Sequence, residues 1–320
     1  MTETWSKIAV MGAGAIGCCL GGMLARAGLN VTLIGRHKHV EAVNRNGLLF
    51  QGLDFQRHIP IAATEDVAAV GDARLILFCV KSLDTEDAAR QMAPHLAPDA
   101  LILSLQNGVD NAERIRLHVK NQVMPVLVYA AATMPAPGCV KHTGGGNLII
   151  GRSSRDCDDK TSDQRLRDVA ALFVGAGIPV KISDAIETDL WTKLVMNCAY
   201  NAISALGAAR YGQMVAMPEI CEVMRDLTME VSQVARAKHI ALPENIVDAV
   251  IKLADGMPQT ASSTAQDIAN GKPTEIDHLN GYVVRQGETL GIPTPVNRTL
   301  RALVKLLEQT KSQTKLRASS

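Results

Sequence analysis

Lys193, Asn197 and Asn201 are the residues of this sequence whose types and spacing bear most directly on chemistry. They stand at i, i+4 and i+8 in the stretch from Glu187 to Leu206, so a helix there stacks them on one side. Their neighbours are mostly Leu, Trp, Val, Met, Ala and Ile, and a helix that is apolar on most faces is a buried one. A buried ammonium and two buried amides are costly unless something satisfies them. Two readings follow: a structural polar network inside the core, or the wall of a cleft that faces a polar substrate. In the second, the ammonium stabilises negative charge developing on a substrate oxygen and then gives up its proton. Burial lowers the pKa of such a lysine towards neutrality, and a nearby carboxylate would oppose the shift.

The elements that must position this stripe divide the chain in two. At the N-terminal end, Lys7–Met11 is a short apolar run suited to a buried parallel strand. Gly12-Ala13-Gly14-Ala15-Ile16-Gly17 follows, then a helical stretch to about Ala27 and a second strand at Val31–Ile34. This is the G-x-G-x-x-G pattern in its strand–turn–helix setting. Gly12 permits the tight turn, Gly14 lets the backbone approach a pyrophosphate, and Gly17 lets the helix pack on the strand. The helix N-terminus then offers free N–H groups to phosphates; the alternative is a tight turn without a ligand. The second strand ends in Gly35-Arg36-His37-Lys38, with no acid before Glu41. NAD-binding chains usually carry an acid there for the ribose diol. A guanidinium instead suits a 2′-phosphate, so Arg36 favours NADP over NAD, against the alternative of a solvated basic turn.

Leu75–Val80 and Ala100–Leu105 are continuous apolar runs typical of central parallel strands. They end in Lys81-Ser82 and Gln106-Asn107-Gly108. Ligands of open α/β sheets bind beyond the carboxyl ends of strands, which places Lys81 and Asn107 where cofactor and substrate should meet; alone, each would be loop punctuation. Strands are expected at Val123–Tyr129, Gly138–His142 and Asn147–Ile150, with a hairpin turn at Thr143–Gly146. A helix near Asp163–Gly177 and a strand near Pro179–Ile182 close the domain. The boundary falls before Asp184, giving residues 1–183 and 184–320. From Asp184 the period is 3.6, with helices over 185–208, 218–240, 244–254, 275–290 and 294–310, and the polar tail from Gln309 is expected to fray. Ser263 and Glu275 lie in polar clusters between helices. As structural residues they would be a helix cap and a first-turn acid.

With 320 residues, 47% apolar and 20% charged, the chain has the composition of a soluble globular protein of two domains. A net charge of +1 argues against a general nucleic-acid or anionic-membrane binder. No apolar run reaches the length of a membrane span, and no charged-then-apolar leader is seen. Seven scattered cysteines without a C-x-x-C pair, among them Cys79, Cys198 and Cys221 in apolar runs, read as reduced core residues of a cytoplasmic protein. None of the eight histidines has zinc-ligand spacing, so no metal is expected.

Eight segments together resemble the ketopantoate reductase, or 2-dehydropantoate 2-reductase, family. They are GAGAIG at 12–17, VKS at 80–82, LQNG at 105–108, HTGGG at 142–146, WTKLVMNCAYN at 191–201, SSTAQD at 262–267, GKPTEID at 271–277 and GIPTPVN at 291–297. The resemblance implies an α/β Rossmann-type dinucleotide-binding domain followed by an all-helical domain like that of 6-phosphogluconate dehydrogenase. It also implies reduction of a 2-keto acid by NADPH, with a homodimer left open. Lys193 would be the general acid, and Glu275 would hold a substrate hydroxyl and orient the site. Asn197 and Asn201 would bind substrate oxygens, and Ser263 the carboxylate. Asn107 would lie between nicotinamide and substrate, Lys81 near the cofactor, and Arg36 on the 2′-phosphate. Family members can carry Asn where this chain has Thr260, which is shorter and has no amide, so the identity of the keto acid stays open. The rival readings are a reductase of another 2-keto acid, a 3-hydroxyacid dehydrogenase with its Lys-x-x-x-Asn helix, and a non-catalytic NADP-sensing module.

Overall fold

Four-residue runs of Ile, Leu, Val and Met, too short and too apolar for surface helices, form the middle of a ten-stranded sheet. The computed structural model describes residues 5–153 and 160–318. Its chain divides into two units, Met1–Ile186 and Glu187–Ser320.

In the first unit the strands are β1 (Ile8–Met11), β2 (Val31–Ile34), β3 (Leu48–Gln51), β4 (Gln56–Ile59), β5 (Ala62–Thr64), β6 (Leu75–Phe78), β7 (Leu101–Ser104), β8 (Val123–Ala136), β9 (Cys139–Gly151) and β10 (Val180–Ser183). The helices are α1 (Ala15–Arg26), α2 (His37–Asn46), α3 (Thr85–Met92), α4 (Asn111–Arg116) and α5 (Lys160–Gly175). Strands β5, β2, β1, β6, β7 and the start of β8 lie side by side and all parallel. Every residue of β1, β2, β6 and β7 is buried, as expected of strands covered on both faces. The strand order turns outward in both directions from β1, which has β2 on one side and β6 on the other. That reversal is the switch point at which open α/β sheets hold ligands.

The glycine run Thr143–Gly146 is not a hairpin turn: Cys139–Gly151 is one strand, antiparallel to β8. The turn lies at Pro137-Gly138, between the partners Ala136 and Cys139. Proline presets φ at the first central position of such a turn, and Gly138 supplies φ +74° at the second. The glycine triplet serves the strand instead, opposite two of the three slips in its pairing with β8, those between Tyr129 and Ala130 and between Ala131 and Ala132. Gly145 there has φ +65°, and a Cβ on it would stand 2.2 Å from the Tyr129 carbonyl oxygen. Strands β3, β4 and β5 had no counterpart in the sequence reading.

The second unit is helical. Its elements are α6 (Ile186–Gly207, whose first residue lies in the other unit), α7 (Tyr211–Val215), α8 (Pro218–Ala237), α9 (Ile246–Gly256), α10 (Ser263–Asn270), α11 (Asn280–Leu290) and α12 (Pro295–Ala318). Helix α6 buries Trp191, Leu194, Val195, Cys198, Tyr200 and Ala202. Trp191 meets the edge of Tyr282 on α11, and the Tyr200 ring lies against Tyr211 on α7. The Tyr200 hydroxyl donates to the Val250 carbonyl on α9 at 2.7 Å. The two short helices α7 and α10 were not expected. The last helix does not end near 310 but continues to Ala318, because Lys, Gln, Leu and Arg are good helix formers and no Gly or Pro interrupts them. Among the described residues no helix is long and apolar enough to cross a membrane.

The β8–β9 irregularity yields a paired prediction. Gly145→Ala, strained in φ and pressed against a carbonyl, should lower stability by about 1–3 kcal/mol. Gly144→Ala meets nothing within 4 Å and lacks the positive φ, so it should be near neutral. Thermal unfolding of the two variants checks the contrast; equal melting temperatures would place the bulge elsewhere.

Candidate active site

The loop after β1 shows which glycines the fold itself requires. Gly12 has φ +105°, and a Cβ there would stand 2.6 Å from the Val80 nitrogen. A Cβ on Gly17 would stand 2.2 Å from the Gly12 carbonyl oxygen, and one on Gly35 would meet the Ala13 Cβ at 2.7 Å. Gly14 is different. It is extended at φ −85°, and a Cβ on it meets nothing within 4 Å. Packing therefore demands no glycine at Gly14, and the space beside it is open. Gly14 is also the N-cap of α1 and, having no side chain, makes no side-chain cap bond. Gly12 and Ala13 donate their N–H groups to the Ile34 carbonyl at 3.1 and 2.9 Å. The first-turn amides of Ala15, Ile16 and Gly17 are those an α-helix leaves without an intrahelical partner. Uncapped helix N-terminus and open space together fit a dinucleotide pyrophosphate.

Beyond β2, Arg36 is the N-cap of α2, with its guanidinium exposed and 4.0 Å from Asp84. Its neighbour His37 pairs with Glu65 at 2.7 Å, and that bond, with the carboxylate charge, raises the His37 pKa.

Lys81 and Asn107 stand on the loops after β6 and β7, and a buried polar network ties those loops together. The Asn107 carbonyl accepts from Ser82 Oγ at 3.0 Å and Asn111 Nδ2 at 2.6 Å. Asn111 Oδ1 accepts from Thr85 Oγ1 at 3.1 Å and Arg114 at 2.9 Å. Arg114 donates in turn to the Ser82 carbonyl at 2.7 Å and to both Glu86 carboxylate oxygens. Gln106 Nε2 reaches the Val80 carbonyl and Thr85 Oγ1. Sequence reading missed Asn111 and Arg114. The signal available was a polar Asn at the start of a helix directly after the strand end, a position otherwise read as a cap.

In the second unit the stripe is divided by exposure. Asn201 is buried, while Lys193 and Asn197 are only partly so, which a sealed core network would not produce. Burial pulls the Lys193 pKa down from 10.5 to about 8, and the Glu275 carboxylate pulls the other way. The structure therefore brings together Lys193 and Glu275, 82 positions apart in sequence. Asn201 Nδ2 lies 3.4 Å from Ser263 Oγ. The cap of α10 is Ser262, not Ser263: Ser262 Oγ accepts from the Ala265 amide at 3.0 Å and donates to the Asn201 carbonyl at 3.1 Å. Ser263 is exposed and released from capping. Glu275 is buried at the N-cap position of a 3-10 turn, Ile276–His278, and makes no side-chain cap bond there. Thr260 is held by its backbone, accepting from the Tyr211 amide at 3.0 Å.

Cys18, Cys19, Cys79 and Cys198 fit no nucleophilic role. Burial raises the pKa of Cys18 and Cys19 to about 12, and pushes Cys79 and Cys198 upward too. The six described cysteines are free; Cys157 lies outside the described residues. Among the described residues no group of three or more His, Cys, Asp or Glu could hold a metal ion.

Known proteins are similar to this chain over both of its units. Residues 8–155 match the family described as Ketopantoate reductase PanE/ApbA, and residues 185–308 match its C-terminal domain. The 2-dehydropantoate 2-reductase of Halobacterium salinarum is 33% identical, covering 95% of this chain and 99% of its own. A PanE/ApbA family ketopantoate reductase from Ralstonia eutropha JMP134 superposes with a TM-score of 0.89 at 47% identity, over 96% of this chain and 99% of that one. D-mandelate dehydrogenase, solved with NADH and anilino(oxo)acetate, shares the fold, with a TM-score of 0.87 at 24% identity over 96% and 99% of the two chains.

Gly14 and Gly17 separate ligand binding from folding. Gly14→Ala should leave stability within about 0.5 kcal/mol of wild type yet weaken dinucleotide binding by roughly tenfold or more, about 1.4 kcal/mol. Gly17→Ala should destabilise by about 2 kcal/mol or more through overpacking. Titration calorimetry and thermal unfolding read the two effects; unchanged affinity in Gly14→Ala would mean that no phosphate approaches this loop.

Proposed function

The chain belongs to the ketopantoate reductase family, and we propose that it reduces a 2-keto acid, 2-dehydropantoate foremost, with NADPH as reductant and Lys193 as general acid. One observation carries the reading. On α6, partly exposed Lys193 shares one stripe with Asn197 and Asn201, and burial lowers its pKa to about 8 against the pull of Glu275. An ammonium in that range is protonated at neutral pH and gives up its proton readily, as a general acid near its operating pH must.

Bound at the Gly12–Gly17 loop, a nicotinamide dinucleotide would supply the hydride for the keto carbon. The first-turn amides of α1 would hold its phosphates, Arg36 its 2′-phosphate, and Lys81 and Asn107 would contact it from the loops after β6 and β7. As negative charge develops on the keto oxygen, the Lys193 ammonium stabilises it and then transfers a proton from Nζ to that oxygen. Glu275 accepts a hydrogen bond from the substrate hydroxyl, and its charge limits how far burial can neutralise Lys193. Asn197, Asn201 and Ser263 bind the remaining substrate oxygens. The 3.4 Å approach of Asn201 to Ser263 sets those two donors side by side.

The experiment that tests the function is NADPH oxidation measured with a panel of 2-keto acids, in which 2-dehydropantoate should give the highest kcat/KM. Another keto acid as best substrate would keep the chemistry and change the assignment; no turnover with any would refute the reading. Cofactor choice has its own test. Arg36→Asp should weaken NADPH binding by about 1.5–3 kcal/mol, the range of a lost charge-assisted contact, and leave NADH binding nearly as it was. Equal use of NADPH and NADH by wild type would contradict this. Lys193→Ala should lower kcat by on the order of 10²–10⁴ with NADPH affinity little changed, and a variant of undiminished kcat would exclude Lys193 as the acid.

A further inference from the structure

Glu275 belongs to a turn between α10 and α11, and two contacts from one face of α12 grip that turn on either side of it. On one side the Thr274 amide donates to Glu308 Oε1 at 2.7 Å. On the other, Asp277 accepts from Arg301 Nε at 2.7 Å and from Lys305 Nζ at 2.9 Å. Residues 301, 305 and 308 follow at i+4 and i+3, so they share a helix face. Lys305 also lies 3.5 Å from Glu308, which joins the two grips. From α11, Arg285 donates to the Asp277 carbonyl at 2.8 Å. A third feature makes room for this arrangement. A Cβ on Gly281 would stand 3.1 Å from Arg301 Nε, so the glycine near the start of α11 clears the path by which the guanidinium reaches Asp277.

We propose that Asp277, gripped by Arg301 and Lys305, is the positioning residue that holds the Glu275 carboxylate beside Lys193. It acts through the backbone of its turn: with Thr274 and Asp277 both fixed to α12, the intervening Glu275-Ile276 has little freedom, and Ile276 is fully buried. The gripped Asp277 carboxylate does not titrate near neutrality. Burial raises the Asp277 pKa, but the bonds from Lys305 and Arg301 outweigh that and hold it below the usual carboxylate range, while the Lys305 pKa is raised by Asp277. A change in the titration of Lys193 on loosening the brace would therefore report displacement of Glu275 and not ionisation of Asp277. The inference rests on the reading of Lys193 as the acid for its consequence in turnover, and on geometry alone for its effect on Lys193.

The test reads Lys193 without any substrate. In the full-length protein, the pH dependence of acetylation at Lys193, followed by mass spectrometry, gives its titration midpoint. Glu275→Gln should lower that midpoint by roughly one pH unit, the effect of removing a neighbouring opposite charge. Asp277→Asn, which leaves Glu275 in place, should lower it in the same direction. Gly281→Ala, which favours the helix but crowds Arg301, should do so to a smaller extent, and it decides the matter if Asp277→Asn does not fold. With 2-dehydropantoate, kcat of the brace variants should fall about tenfold while KM for NADPH stays constant. A midpoint that moves in Glu275→Gln but stays at the wild-type value in Asp277→Asn and Gly281→Ala would overturn the proposal, even if both variants melt early. Moved midpoints in a protein that turns over no 2-dehydropantoate would uphold the brace and refute the proposed function instead.

Discussion

In the helical unit the ammonium of Lys193 is desolvated, and Glu275 acts against the resulting shift. Burial moves the Lys193 pKa from 10.5 to about 8, and at about 1.4 kcal/mol per unit this is a net cost on the order of 3 kcal/mol. The sign follows from the direction of the shift. The cost is fully present where Lys193 is charged in both folded and unfolded chains, below about 8, and is relieved as pH rises towards 10.5. The fold offsets it with the apolar packing of α6, where Trp191, Leu194, Val195 and Cys198 are buried around the stripe. A second buried group, Glu275, keeps the shift from going further. An unaided buried lysine would be largely neutral at physiological pH and useless as an acid; one beside a well-held carboxylate stays charged until a proton is needed. Under the proposed function, where Glu275 sits is a constraint on catalysis, and the proposed brace from α12, with the glycine at 281, would answer to it.

The Rossmann-type unit obeys a different constraint, close approach. Gly12, Gly17 and Gly35 are needed so that β1, β2, α1 and the loop after β6 can touch, whereas Gly14 is needed by nothing in the protein itself. A glycine without a packing reason, at an uncapped helix N-terminus, points to an external partner. The loops carrying Lys81 and Asn107 are fixed beforehand by Asn111, Ser82 and Arg114, so ordering them does not have to be met by ligand binding.

What could be read from the sequence follows from how local each signal is. The buried strands β1, β2, β6 and β7 were legible because a strand covered on both faces is a continuous apolar run. Strands β3, β4 and β5 were not: Gln56, Arg57 and His58 are exposed and give no such pattern. The glycine triplet at 144–146 suggested a turn because glycine tolerates positive φ, yet the same property serves a bulged strand, and Pro137-Gly138 was the true turn. Ser262 and Ser263 are adjacent serines, and only geometry shows which one caps α10. The i, i+4, i+8 stripe was visible from spacing, but its partner Glu275 lies on another element, where family resemblance and not spacing supplied it. Asp277 was visible only as a letter in a motif, because its meaning depends on α12.

The most direct test of the central claim is the pH dependence of a single turnover, with NADPH saturating and 2-dehydropantoate as substrate, in wild type and in Lys193→Ala. The wild-type rate should be constant below about pH 8 and fall as pH rises through that value, as the Lys193 ammonium is lost, with no such limb in the variant. A variant that retains both the wild-type rate and the same alkaline limb would remove Lys193 from the chemistry and return its stripe to a purely structural role.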